Sequence, residues 1–172
     1  MRVLFDMDKK DYANCTRTCV RDSARSIIIK DGEVAMIHSL KYDYYKFPGG
    51  GIDKDESPVD AMIRETLEES GLIVIPYSVK EFGYVCRKQK GLFDEEECFV
   101  QGNYYYICDV EEKRVTQKLD DYEAEEKFVL EFVDPEVVIM KNRNVGKTPH
   151  HVEMFEREAK VLEILIKEGY FK

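Results

Sequence analysis

Apolar positions along the chain fall into short blocks whose spacing predicts strands on either side of one well-capped helix. Ile27, Ile28 and Ile29 are β-branched, Val34-Ala35-Met36-Ile37 runs back, and Asp31-Gly32 between them is a two-residue turn signal. Ser26 to Ile37 is therefore predicted as a hairpin. Tyr42, Tyr44, Tyr45 and Phe47 lead into Pro48-Gly49-Gly50-Gly51, four breakers that require a tight loop. Ser57 then suits a helix N-cap, Pro58 the first helical position, and Asp60 the first turn, where a carboxylate favours the free N–H groups. That helix is predicted to reach Ser70, with Gly71 closing it. Leu72 to Ile75, Val79 to Lys88, Cys98 to Val110 and Phe128 to Val133 read as strands, with a charged loop over Gly91 to Glu97. Val152 to Lys167 reads as a closing helix whose apolar side carries Met154, Ala159, Val161, Leu162, Ile164 and Leu165. This order implies an α/β sandwich. No repeat or linker divides residues 1–172, so a single domain is expected; residues 1–20 could form an extra strand or arm, or pair with a second copy in a homodimer.

Composition narrows the partners. The 172 residues carry a net charge of −9, with 44% hydrophobic positions, enough for a real core. An acidic chain lacks the basic field that duplex nucleic acid or an anionic membrane would require. No apolar run approaches the ~20 residues of a membrane span, and the first fifteen residues carry too many charges for a secretory leader. The five cysteines (Cys15, Cys19, Cys86, Cys98, Cys108) are odd in number, and the Cys15–Cys19 pair has no second pair to complete a zinc site. Reduced thiols in a cytoplasmic protein are expected.

The chemistry is concentrated between Gly50 and Leu72. At 100° per residue, with Glu65 at zero, Glu68 lies at about −60° and Glu69 at about +40°. Three carboxylates thus share one helix face, with Val59, Ile63 and Leu67 roughly opposite as the expected anchor to the sheet. Like charges at Glu65 and Glu69 repel, and an oxygen-seeking cation would more than offset that repulsion. Gly50, five residues, Glu56, seven residues, then Arg64-Glu65-Thr66-Leu67-Glu68-Glu69-Ser70-Gly71-Leu72 resembles the box of the Nudix hydrolases. All seven fixed residues are in place, a coincidence on the order of 1 in 10⁸ at ~7% usage each; Thr66 stands where the family usually has an aliphatic residue.

The resemblance implies a Nudix-like α/β/α sandwich with a mixed sheet and the box as loop-helix-loop. It also implies Mg²⁺- or Mn²⁺-dependent hydrolysis of a diphosphate linkage in a small nucleoside diphosphate derivative: ADP-ribose, a nucleotide sugar, a nucleoside triphosphate or a dinucleotide. By matching positions, Glu65 and Glu69 would ligate the ion, and Glu68 would be a further ligand or a base. Arg64 would orient a neighbouring carboxylate, and Glu56 would brace the loop or bind a second ion. The carbonyl of Gly49 or Gly50 could add an oxygen. A further catalytic glutamate is expected from the loop before the late strand, with Glu126 first and Glu123 and Glu125 behind it. The alternative is a catalytically silent Nudix-fold sensor that binds a nucleotide, although such domains usually lose box carboxylates. The downstream position that marks some subfamilies with proline or tyrosine is Lys88, followed by Gln89 and Lys90, so it does not select a substrate.

Other groups carry two readings each. Arg21, Ser23 and Arg25 alternate as on one strand face, either to meet phosphate or to form salt bridges at a sheet edge. Tyr45, among the aromatics before the glycine loop, could stack on a base or belong to the core. His150 and His151 point about 100° apart on a helix and read as a solvated helix start. Lys141 to Lys147 is a small basic loop, either near a phosphate or facing solvent.

Overall fold

A computed structural model describes residues 1–172. The strands are β1 (Val3–Asp8), β2 (Arg17–Val20), β3 (Ser23–Ile27), β4 (Ile29–Lys30), β5 (Glu33–Ser39), β6 (Tyr44–Lys46), β7 (Gly49–Gly51), β8 (Leu72–Val74), β9 (Lys80–Lys90), β10 (Glu97–Ile107), β11 (Val110–Arg114) and β12 (Phe128–Val133). The helices are α1 (Pro58–Ser70), α2 (Asp121–Glu125), α3 (Pro135–Arg143) and α4 (Val152–Lys167). The larger, mixed sheet runs β1-β9-β10-β3-β7, with β2 also paired to β10; the second runs β12-β5-β4, with β6 beside β5, and β8 and β11 form a ribbon. No helix is long and apolar enough to cross a membrane.

Alternation along the strands divides the core into two layers. Ile27, Met36 and Tyr105 pack with Val138 and Ile139 of α3 and Ala159, Leu162 and Leu165 of α4. Their sequence neighbours Ile28, Ala35 and Tyr106 pack instead with Ala61 and Met62 of α1. Successive side chains of a strand point to opposite faces, so one stretch of sequence serves both layers. The result is helices on both sides of the sheets, as the element order implied.

The predicted hairpin is present: Ile29 pairs with Val34 and Lys30 with Glu33, around Asp31 and Gly32 at φ 53° and 81°. It begins later than expected, because β3 belongs to the large sheet and the chain changes sheets at Ile28. The N-terminal segment does add a strand, with β1 lying parallel to β9. The predicted Cys98–Val110 strand is two strands, because after Ile107 the chain leaves β9 and Val110 pairs with Val74 of β8.

Helix α1 starts and stops where its caps predicted. The Ser57 side chain accepts from the Asp60 N–H, and Gly71 closes the helix at φ 72°. Its buried face overlaps the expected one only in part: Val59 and Ile63 pack against the core, but the fully buried positions lie elsewhere. Ala61, Met62, Thr66, Glu69 and Ser70 are buried, whereas Leu67 is 38% exposed. Taking Glu65 as zero, the buried set centres near +60°, beside the carboxylates rather than opposite them. Small side chains there let the helix approach β3 closely, and Thr66 Oγ1 donates to Ser26 Oγ at 2.8 Å. The hydroxyl that departs from the usual aliphatic residue is thus satisfied in the core.

Candidate active site

The glycine loop and α1 together hold the box carboxylates. Gly49 has φ 140°, and a Cβ there would lie 2.2 Å from the Ala24 carbonyl oxygen on β3; a Cβ on Gly50 would lie 2.4 Å from Glu65 Oε2. Only glycines let this loop press against both β3 and the Glu65 carboxylate. Behind it, Glu69 is 1% exposed and accepts from the Gly49 N–H at 3.0 Å while pairing with Lys46 Nζ. Lys46 Nζ also lies 3.5 Å from the Gly49 carbonyl.

These contacts separate two substitutions. Gly49→Ala meets rigid backbone in a strained conformation and is expected to cost about 3 kcal/mol or more, read as a lower denaturation midpoint. Gly50→Ala meets the end of a flexible side chain. It is expected to fold while moving Glu65, so turnover falls by about tenfold or more with a small change in midpoint.

Arg64 organises the exposed side of the cluster. Its Nε and Nη2 donate to the two oxygens of Glu56, both at 2.8 Å. Nη1 donates to Glu65 Oε1 at 2.6 Å and lies 3.4 Å from Glu68 Oε2, and Nη2 reaches the Gly51 carbonyl at 3.1 Å. The guanidinium holds Glu56 down at about 2, and Glu56 in turn accepts from the Asp53 N–H at 3.0 Å. Burial pushes Glu65 up against the pull of Arg64. Burial also raises Glu69 to about 7; Lys46 opposes the rise and nearby Glu123 adds to it.

The loop carboxylate facing this cluster is therefore Glu123, not Glu126. Glu123 is buried on α2 and held by the Asp120 N–H and the Tyr122 hydroxyl, both at 2.9 Å. Glu126 is occupied elsewhere: His150 Nε2 and the Tyr44 hydroxyl each lie 2.7 Å from it, and the Ser39 hydroxyl 3.0 Å. Burial pushes Glu126 up, but these three partners together hold it below its ordinary value. A short helix beginning at Asp121 turns Glu123 inward. The acidic run predicted no helix there, so the periodicity that would have singled out Glu123 was not available.

A cleft of about 560 Å³ opens over the glycine loop and is lined by Arg21, Arg25, Tyr44, Lys46, Tyr122 and His150, among others. Arg21 is exposed, while Arg25 is buried and donates to the Phe47 carbonyl at 3.2 Å. Tyr45 is not in the cleft. Its ring stacks on His38 at 4.2 Å and its hydroxyl donates to Glu131, because alternation on β6 sends Tyr44, not Tyr45, to the cleft side. His150 and His151 are not a solvated helix start: His150 meets Glu126, and His151 meets the Gln89 amide. Both partners are distant in sequence. In the basic run, Lys141 pairs with Asp43, and Arg143 with Glu156 and Glu163. All five cysteines are free.

Glu65, Glu68 and Glu69 do not by themselves close into a three-carboxylate metal group; Lys46 and Arg64 stand among them. The donors nevertheless fit a hard divalent cation. Every one is an oxygen, Glu69 is a buried carboxylate strained by a like-charged neighbour, and the glycine loop brings a backbone carbonyl beside it.

Known proteins bear on this geometry in two ways. A family model described as NUDIX domain matches residues 20–155. An RNA pyrophosphohydrolase of Xanthomonas campestris is 46% identical over 44 residues, which cover 26% of this chain and 22% of that protein; the chain thus spans about a fifth of that relative's length. Among solved structures, a NUDIX hydrolase from Nitrosomonas europaea aligns over 83% of this chain and 90% of its own, with TM-score 0.57 and 15% identity. A MutT structure from work on Aliivibrio salmonicida and Vibrio cholerae aligns over 87% and 99%, with TM-score 0.53 and 19% identity. At such identities the likeness is one of fold.

Proposed function

The chain belongs to the Nudix hydrolase family, and from that premise we propose that it is a divalent-metal-dependent pyrophosphohydrolase acting on a nucleoside diphosphate derivative. The observation that carries the reading is Glu69, a buried carboxylate of raised pKa set between the glycine loop, Lys46 and Glu123. Glu65, Glu69, Glu123 and the Gly49 carbonyl would hold Mg²⁺ or Mn²⁺, with Glu68 at the rim. A bound divalent ion supplies charge neutralisation at phosphate oxygens and a more acidic water.

The chain's own groups do the rest. Arg64 fixes Glu56, Glu65 and the loop at Gly51, so it positions rather than touches substrate. Arg21, Arg25 and Lys46 give the cleft positive charge for a diphosphate. Glu68 is the least constrained of the three helix carboxylates, with a side chain 35% exposed, which suits a proton acceptor at the mouth of the site.

A product-resolved screen tests the reading. ADP-ribose, nucleotide sugars, nucleoside triphosphates, dinucleoside polyphosphates and a 5′-triphosphorylated oligoribonucleotide would be incubated with Mg²⁺ and Mn²⁺. Cleavage of a diphosphate linkage in at least one class is expected, and chelation should abolish it. Tight nucleotide binding without turnover on any of them would favour the sensor instead.

The pH dependence has a definite sign. Glu69 sits at about 7, above its ordinary 4.5, so its protonated form favours folding. That contribution is full below 4.5 and is lost as pH rises through 7. Cation binding needs the deprotonated form, so at subsaturating Mg²⁺ kcat/KM is expected to rise with pH up to about 7 while the metal-free protein becomes less stable over the same range. Parallel pH profiles of turnover and denaturation midpoint check both halves.

A further inference from the structure

The side of the large sheet that faces α4 holds more positive charge than it pairs. Arg25, Arg87 and Arg157 are all buried there, and the one carboxylate buried among them is Glu158, which pairs with Arg157 and lies 3.7 Å from Arg25 Nε. Arg157 also donates to Gln101 Oε1 at 3.0 Å and Asn103 Oδ1 at 2.6 Å. Arg87 has no such partner. It is 5% exposed, its Nε and Nη1 meet no hydrogen-bond acceptor, and its guanidinium lies 5.1 Å over the Phe99 ring. The carboxylate that acts on it electrostatically, Glu153, is held by Lys9 at 2.7 Å. Burial, with Arg157 and Arg25 adding to it, pulls Arg87 down to about 9.

A buried guanidinium without a counter-charge is unfavourable unless something anionic meets it. Arg87 lines a cavity of about 480 Å³ with Arg21, Phe93, Phe99 and His151; Asp94, which pairs with Arg17, and Glu97 also line it, and neither pairs with Arg87. That cavity shares Arg21, Phe99, His150 and Met154 with the catalytic cleft, so one elongated molecule can occupy both. His151 is the N-cap of α4, so the positive end of a sixteen-residue helix borders the same space.

We propose that this second cavity is an oxyanion subsite, in which Arg87 seats a phosphate or carboxylate carried by the substrate beyond its scissile diphosphate. The guanidinium fork suits two oxygens of one group, and the Phe99 ring lies beneath it. The substrate class is then a nucleoside diphosphate derivative with an additional negative group, such as a phosphorylated ribose, the next phosphate of a strand, or a sugar acid. The subsite stands on its own geometry; assigning its occupant to the substrate rests on the pyrophosphohydrolase reading.

Binding measured in chelator, without turnover, separates the two claims. Inorganic phosphate, adenosine 3′,5′-bisphosphate against adenosine 5′-monophosphate, and a nucleoside diphosphate sugar acid against its neutral sugar would be titrated into wild type, Arg87→Gln and Arg87→Lys. Wild type is expected to bind phosphate and to favour the more anionic member of at least one pair by about tenfold, one guanidinium–oxyanion contact. A gain for the bisphosphate assigns a phosphate, and a gain for the sugar acid assigns a carboxylate. Arg87→Gln should bring the ratio close to one, with Arg87→Lys between. Removing an unpaired buried charge should leave the Arg87→Gln midpoint no lower than wild type, so misfolding would not imitate the result. Equal ratios in wild type and Arg87→Gln would overturn the proposal. So would discrimination by base with none by charge, which would give the fork to a base edge.

Discussion

Glu69→Gln is expected to lower turnover by about 10³-fold at saturating Mg²⁺ and pH 8, while the chain still folds. A cation ligand contributes several kcal/mol of transition-state charge stabilisation, and each 1.36 kcal/mol is a factor of ten. The substitution keeps the shape of the side chain and an oxygen for the Gly49 N–H, now 3.0 Å from Glu69 Oε2. It takes a charge away from Lys46, but Glu65, on which Lys46 already acts, and Glu123, which crowds Glu69, remain to share that cation. Because folding at pH 8 already favours the neutral form of Glu69, the metal-free midpoint is expected to change by no more than a few degrees for a chain of this size. Steady-state rates beside a thermal melt check it. Near-full turnover would remove Glu69 from the cation site.

Lys46→Met is expected to act in the opposite sense, on stability first. Lys46 and Glu69 are both buried, and removing one member of a buried pair typically costs about 3–5 kcal/mol because the other charge is left without a partner. Here Glu123 already crowds Glu69 and burial already raises it; without Lys46 it rises further. The loss should therefore be largest near pH 8 and shrink below about pH 6, where Glu69 takes up a proton. A divalent cation would replace the missing charge, so adding Mg²⁺ or Mn²⁺ should raise the variant's midpoint more than the wild type's. Melts at two pH values, with and without metal, provide the comparison. A variant as stable as wild type at pH 8 in chelator would show that the pair is not what holds Glu69.

What could be read from the sequence follows physical range. The α1 caps depend on residues within a turn of one another, and the Asp31-Gly32 hairpin on two residues, so both were legible. The box placed Glu65, Glu68 and Glu69 on one helix, because that relation too is local. The face that α1 buries was legible only in part: Val59 and Ile63 pack inward, whereas Leu67 is exposed and Glu69 is buried. Burial of Glu69 depends on β3, Lys46 and the glycine loop, none of which enters a helical wheel. Helix α3 is not legible because its nine residues bury Val138, Ile139 and the polar Asn142 while exposing the apolar Val137 and Met140, which blurs the periodicity. Tyr44 and Tyr45 could be assigned to faces only once β6 was seen beside β5. Glu126 and His150 meet across 24 residues, and Arg87 meets Arg25 and Arg157 only through the sheet and α4. No spacing in the chain encodes those meetings.

A crystal grown with manganese addresses the cation grip most directly. The arrangement calls for an anomalous peak bounded by the carboxylates of Glu65 and Glu69 and the carbonyl of Gly49, with the Lys46 ammonium displaced from Glu69. A map at saturating metal that shows the Lys46–Glu69 pair intact and no peak beside the glycine loop would contradict it.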